Sequence, residues 1–160
     1  MDMIVGVGDM KVSDKADTVL ATYSLGSCLG VCLYDPSVRV GGLLHYMLPE
    51  SSIDEAKARQ MPFMFGDTGI PLLFKETYRL GAAKSRLRVI VVGGAEILDQ
   101  KGFFNIGKRN YMVLRKLFWK NNVMIDFEDV GGNVNRTLKL EVATGAAWLK
   151  TSGDGLRRIA

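Results

Sequence analysis

The sequence predicts an α+β fold, a single domain spanning 1-160 in which mixed β-sheets are flanked by helices. Three observations lead there. Short runs rich in β-branched and aromatic residues recur along the chain, strand candidates outnumber helical stretches, and Gly and Pro separate the two kinds of element. With 160 residues, 48% hydrophobic and 24% charged, the chain has the size and composition of one globular domain able to bury a core. No internal repeat or low-complexity tract divides it.

Taken in order, the first strand candidates are Met3 to Val7 and Thr18 to Tyr23. Leu29 to Tyr34 and Val40 to Leu48 then form a hairpin about Asp35-Pro36-Ser37-Val38, with Asp and Pro where a type I turn prefers them. A helix is predicted from near Ser52, with Glu55 three residues on as a capping box and Pro62 as its break. A second runs from about Thr68 to Leu80, with Pro71 in its first turn and Gly81 as its stop. Strands follow at Leu87 to Val92 and Val123 to Asp129, on either side of a third helix over Ile106 to Asn121. The apolar side chains of that helix, Ile106, Val113, Leu114, Leu117 and Phe118, share one core-facing stripe. A late hairpin joins Thr137 to Val142 with Ala146 to Thr151. The Gly-Gly pairs at 41-42, 93-94 and 131-132 read as tight turns or close backbone approaches, since neither Gly-x-Gly-x-x-Gly nor a Walker sequence is present.

The first hairpin holds the most informative residues. The chain has one histidine, His45, and two cysteines, Cys28 and Cys32. If Asp35 faces Val38 and Tyr34 faces Arg39, Cys28 lies directly across from His45 on the same face, with Cβ atoms roughly 5 Å apart. A thiol beside an imidazole is the commonest source of a nucleophilic thiolate, so the spacing predicts a lowered Cys28 pKa. Gly30 and Gly41 on that face would leave volume beside the sulfur for a substrate side chain. Taken singly, Cys28 reads as a small core residue and His45 as a satisfied strand histidine; it is the pairing that points to chemistry. Cys32 reads as a core residue.

Composition excludes several other classes. Net charge is +4, but Lys and Arg are scattered, so nucleic acid is not an expected partner. The beginning carries no basic segment followed by an apolar run, and no run approaches the ~20 residues of a membrane span; a soluble cytoplasmic protein without membrane insertion is expected. Cysteines four apart in one strand lie too far apart to bridge, so reduced thiols are the default. Two cysteines and one histidine without zinc spacing argue against a metal, and no cofactor is expected.

Leu25-Gly26-Ser27-Cys28, followed by Gly41-Gly42-Leu43-Leu44-His45-Tyr46-Met47-Leu48-Pro49, resembles the CheD family, the chemoreceptor glutamine deamidases of bacterial chemotaxis. Gly93-Gly94-Ala95, Asn105-Ile106-Gly107-Lys108-Arg109-Asn110 and Asp129-Val130-Gly131-Gly132-Asn133 with Arg136 agree in order, from about Ile4 to Leu149. The resemblance implies a fold similar to the cytotoxic necrotizing factor-like cysteine hydrolases and conversion of selected receptor glutamines to glutamate through a Cys thioester. It also implies a Cys-His-Thr catalytic set, here Cys28, His45 and Thr22. Expected partners are chemoreceptor cytoplasmic domains and a CheC-type phosphatase; hydrolysis of receptor methyl esters is left open.

In that chemistry the tetrahedral oxyanion needs donors, for which the backbone N–H of Cys28 and a group in the Leu25-Gly26-Ser27 turn are candidates. Asn105, Arg109 and Asn110 are candidates for substrate binding, with a polar helix start as their alternative reading. Phe103 and Phe104 are the candidates for partner docking; Phe63, Met64 and Phe65 form a second apolar cluster, for which burial is the commoner fate. Two other functions compete: a non-catalytic module that binds receptors or a CheC-type phosphatase, and a small-molecule hydrolase with an enclosed pocket.

Overall fold

The computed structural model describes residues 1–96 and 105–160; Phe103 and Phe104 lie outside the described residues. Among the described residues there are ten strands, β1 (Asp2–Ile4), β2 (Asp9–Ser13), β3 (Val19–Leu25), β4 (Leu29–Asp35), β5 (Val40–Tyr46), β6 (Arg88–Gly93), β7 (Phe127–Val130), β8 (Arg136–Glu141), β9 (Ala147–Thr151) and β10 (Arg157–Arg158), with helices α1 (Glu55–Gln60), α2 (Gly66–Arg79) and α3 (Ile106–Lys120). They form two five-stranded sheets, an outer one in the order β1-β3-β8-β9-β10 and a central one in the order β2-β5-β4-β6-β7. Each sheet is antiparallel except at one end, where β1 runs parallel to β3 and β7 parallel to β6. The α+β expectation is met.

Side-chain alternation in β4 and β5 builds three layers. Cys32, Tyr34 and Leu43 point to the outer sheet and pack with Leu20, Leu138, Leu140 and Leu149. Leu29, Val31, Leu33, Leu44 and Tyr46 point the other way and meet Ile70, Leu73, Leu114 and Phe118 of α2 and α3. Both strands are therefore buried along their whole length, which is why they read as apolar runs with little polar alternation. Each fully buried Leu or Phe in these layers stabilises by roughly 1.5–3 kcal/mol relative to exposure.

Several boundaries differ from the sequence expectation for local reasons. The strand predicted over Met3 to Val7 stops at Ile4, and β2, a half-exposed edge strand interrupted by charge, was not expected; its Met10 and Val12 pack on the helical side. The Val123 to Asp129 strand forms only from Phe127. The first helix starts at Glu55 because Asp54 is its N-cap and accepts from Lys57 N–H; Ser51–Ile53 is a 3-10 turn. Helix α2 starts at Gly66, placing Pro71 inside it, and ends where Ala82 N–H bonds Thr77 O and Gly81, at φ +107°, bonds Tyr78 O. Helix α3 matches its prediction to within a residue, and Leu114 and Phe118 are buried.

The hairpin register differs in a way that matters to the site. Asp35 pairs with Val40, not Val38, so Pro36 to Arg39 form a longer connection with Arg39 at φ +53°. Asp35 is fully buried, and its carboxylate accepts from Ser37 N–H, Ala83 N–H and Arg86. Those bonds keep Asp35 in the ladder, so the hairpin cannot turn as early as Asp-Pro suggests.

Candidate active site

With this register His45 faces Gly30, and Cys28 sits one diagonal step away instead of directly opposite. A shift of two residues preserves side-chain parity. Cys28, just before β4, packs against the core between the sheets, and His45 points into that same space. Diagonal neighbours lie roughly 7–8 Å apart, within the combined reach of thiol and imidazole. The expected volume beside the sulfur is not supplied by the glycines: a Cβ on Gly30 would meet Leu25 Cδ1 at 3.0 Å, and one on Gly41 would meet Leu140 Cδ2 at 2.7 Å.

The third residue comes from the other sheet. Thr22 on β3 is fully buried, and its Oγ1 lies 2.7 Å from His45 Nδ1 and 2.7 Å from Val5 O. A hydroxyl has one proton, and the Val5 carbonyl can only accept. Thr22 therefore donates to Val5 and accepts from Nδ1–H, an assignment forced by the network that leaves Nε2 as the unprotonated nitrogen. His45 is 1% exposed, and its Nε2 is buried with no hydrogen-bond partner among the described residues. An orphaned buried acceptor of this kind costs about 1–3 kcal/mol and is retained where a function needs the lone pair.

Burial controls the protonation of both groups. Burial pushes the Cys28 thiol up to about 11, offset in part by its own backbone N–H. Burial pushes His45 down to about 4. The resting pair is thus neutral thiol and neutral imidazole near pH 7, which corrects the expectation of a lowered Cys28 pKa. Both cysteines are free, and Cys32, buried and pushed by its burial up to about 12, is a core residue as expected.

The loop that carries Cys28 is gripped from one side. Gly26 O accepts from Ala95 N–H at 2.9 Å, Ser27 O from Asn110 Nδ2 at 2.9 Å, and Cys28 O from Gly94 N–H at 2.9 Å. Gly93 makes this possible, because its φ is +114° and a Cβ there would sit 2.3 Å from Cys28 O. The buried Arg136 holds the same corner by donating to Gly93 O and Gly131 O while pairing with Asp129 at 3.0 Å. Helix α3 reaches the corner because Gly107 has no Cβ to strike Ala95 O. The Gly-Gly pair at 93-94 signalled a close approach in the sequence, but nothing there indicated what approached.

The remaining candidates divide. Gly26 and Ser27 precede Cys28 in the same loop, where their carbonyls accept from Ala95 N–H and Asn110 Nδ2. Asn105 is exposed, adopts φ +63° and caps α3 without a side-chain bond, and Arg109 is exposed on the same helix; neither is brought to Cys28 by a hydrogen bond among the described residues. Asn110, by contrast, is fully buried and binds both Ser27 O and Met47 O. Phe65 and Met64 are buried with Ala58 in a small cluster, so they contribute no docking surface. A groove of about 270 Å³ lies between α2 and the C-terminal part of α3 and another of about 710 Å³ beside it, and neither is lined by Cys28, Thr22 or His45. No helix among the described residues is long and apolar enough to cross a membrane.

A family model described as CheD chemotactic sensory transduction matches residues 47–151. The chain is 56% identical over 158 residues to a probable chemoreceptor glutamine deamidase CheD of Syntrophus aciditrophicus, covering 99% of each chain. It is 48% identical to the protein of that name from Solibacter usitatus, covering 94% of this chain and 89% of the relative. With the one from Thermococcus kodakarensis identity is 39%, covering 97% and 96%. These matches extend through Thr22, Cys28 and His45, which precede the stretch matched by the family model, and on them the chain belongs to the CheD family.

Proposed function

We infer that this chain is a protein-glutamine glutaminase that converts glutamine side chains of chemoreceptors to glutamate, with Cys28 as nucleophile, His45 as general base and acid, and Thr22 orienting the imidazole. The observation that carries the reading is the Thr22 bond to Nδ1, which leaves a buried Nε2 lone pair, without a partner among the described residues, on the face occupied by Cys28. The names of the full-length relatives supply the substrate class.

The neutral pair dictates the order of events. Rotation of the Cys28 side chain brings the thiol to Nε2, which takes its proton as the sulfur attacks the amide carbon. The resulting oxyanion draws on the backbone N–H of Cys28. His45 returns the proton to the departing nitrogen, so ammonia leaves and a thioester remains. Water, deprotonated at the same Nε2, then attacks the thioester; the C–S bond breaks, the thiol regains its proton, and the side chain leaves as glutamate. Thr22, being neutral, orients the imidazolium but stabilises it less than a carboxylate would.

The test is incubation with purified receptor cytoplasmic fragments followed by mass spectrometry for the ~1 Da gain of glutamine to glutamate, beside Cys28→Ala and His45→Ala. Both variants should be inactive and Cys32→Ala active; retained turnover in Cys28→Ala overturns covalent catalysis. The same fragments carrying glutamate methyl esters test ester hydrolysis. Pull-down of a CheC-type phosphatase by a Phe103→Ser/Phe104→Ser protein, compared with the parent, tests the proposed docking pair.

A further inference from the structure

Helix α3 contributes one fully buried polar side chain to the loop of the nucleophile, and its position suggests more than packing. Asn110 donates through Nδ2 to Ser27 O and to Met47 O, each at 2.9 Å. Ser27 O belongs to the peptide whose N–H is that of Cys28. In a trans peptide the C=O and N–H point in opposite directions, so a clamp on one aims the other. Met47 follows His45 by two residues, just beyond β5. One amide thus ties the segment bearing the sulfur to the segment bearing the imidazole.

The neighbouring peptides are fixed in the same sense. The carbonyls of Gly26 and Cys28 are held by Ala95 N–H and Gly94 N–H, so three successive carbonyls turn toward the corner and α3. Among the described residues, Cys28 N–H and Ser27 N–H donate to no other residue. A loop whose carbonyls are all held on one side presents its N–H groups on the other, the arrangement that binds an anion. Of the three clamps, only the one on Ser27 O comes from a side chain, and it is the one that sets the direction of Cys28 N–H.

We propose that Asn110 is a positioning residue for the oxyanion: by holding Ser27 O it aims the Cys28 N–H at the negative charge that develops when the sulfur adds to a carbonyl, and by holding Met47 O it keeps the His45 strand at a fixed distance from that donor. This rests on Cys28 being the nucleophile of the proposed reaction.

The test separates oxyanion formation from thiol reactivity. Alkylation by iodoacetamide displaces iodide at a saturated carbon and forms no oxyanion, whereas amide hydrolysis does. Addition of the thiol to a peptide aldehyde, placed where the glutamine carboxamide would be, also forms one: the S–C bond is made, the carbonyl π bond breaks onto oxygen, and the thiol proton passes to His45. In Asn110→Ala, kcat for glutamine hydrolysis should fall about 10²-fold with KM changed less than threefold, and aldehyde affinity should fall in parallel. The rate of Cys28 alkylation, measured across pH, should stay within about twofold of the parent. Asn110→Ser, which keeps one donor, should lie between the two. If alkylation and turnover fall together, or if kcat is unchanged, Asn110 is a packing residue and the proposal fails. Should Asn110→Ala not fold, Asn110→Ser carries the same comparison, normalised to sites labelled by iodoacetamide. A parent protein that adds the aldehyde at Cys28 but does not deamidate receptors overturns the substrate assignment and leaves the Asn110 comparison intact.

Discussion

Replacing Thr22 by Val keeps the shape of the side chain and removes the hydroxyl that joins the two sheets at the site. In the native protein that hydroxyl accepts from His45 Nδ1–H and donates to Val5 O, both at 2.7 Å and both buried. Thr22→Val leaves the imidazole N–H and the Val5 carbonyl without that partner at a wholly buried position. At about 1–3 kcal/mol for each stranded group, the substitution should cost roughly 3 kcal/mol of stability. The effect on chemistry is separate: without a fixed acceptor at Nδ1, the proton is free to occupy Nε2, where it blocks abstraction of the thiol proton. Loss of tautomer control in a charged triad costs about 10⁴-fold in kcat; with a neutral partner about 10²- to 10³-fold is expected.

The assay is deamidation of receptor fragments at saturating concentration, normalised to folded protein, with stability taken from urea unfolding. Thr22→Ser, which keeps the hydroxyl but frees its rotamer, should lie within about fivefold of the parent. A Thr22→Val protein with kcat within twofold of the parent refutes the orienting role. A Ser variant as impaired as Val would show that the hydroxyl orients the imidazole only when the methyl fixes its rotamer.

The neutral resting pair predicts that Cys28 alkylation by iodoacetamide rises about tenfold per pH unit until near 11 and that no thiolate absorbs near 240 nm at neutral pH; a rate already level below pH 8 contradicts it. His45 titrates near 4 in the folded chain against 6.5 ordinarily, so its contribution to stability is present above pH 6.5 and lost as pH falls toward 4. Over that gap, at 1.36 kcal/mol per pH unit, the parent should lose about 3 kcal/mol more than His45→Gln, and parallel urea curves for the two at pH 4 and 7 would contradict the assignment. Gly93→Ala should destabilise by about 2–4 kcal/mol and abolish turnover, because the backbone at φ +114° is strained for alanine and its Cβ strikes Cys28 O; a fully active, stable variant would show that the corner does not hold the nucleophile loop.

Much of this fold was legible because its strands are short and apolar. The late hairpin, β6, α3 and the two strands of the first hairpin follow from periodicity and turn residues, but the register of the first hairpin does not. What escaped was settled by tertiary contacts: β2 is recognisable only from the strand it pairs with, and the first helix starts where Asp54 finds Lys57 N–H. The extra residue in β3 between Thr22 and Leu25, with Ser24 at φ +58°, has no turn signature in Thr-Tyr-Ser-Leu, yet it carries Leu25 under Gly30 and delivers the chain to the Cys28 loop.

Cys28 and His45 lie on one face of the hairpin although its register differs from the one Asp-Pro suggests, and the reason is physical. The turn after Asp35 was placed too early because Asp-Pro signals a local conformation, whereas the actual connection is decided by Asp35 reaching Ala83 and Arg86 from a buried position in the ladder. The displacement came to two residues, one full period of side-chain alternation, so Cys28 and His45 stayed on one face. A displacement of one residue would have sent His45 toward α2 and α3, away from Thr22. Parity was already constrained by burial on both sides of β5: Leu44 and Tyr46 fill the helical side, and Leu43 fills the space between the sheets. What the sequence could not supply was the protonation of the pair, because spacing implies proximity but burial decides charge. Here burial between the sheets pushes the thiol up to about 11 and the imidazole down to about 4, so both are neutral near pH 7.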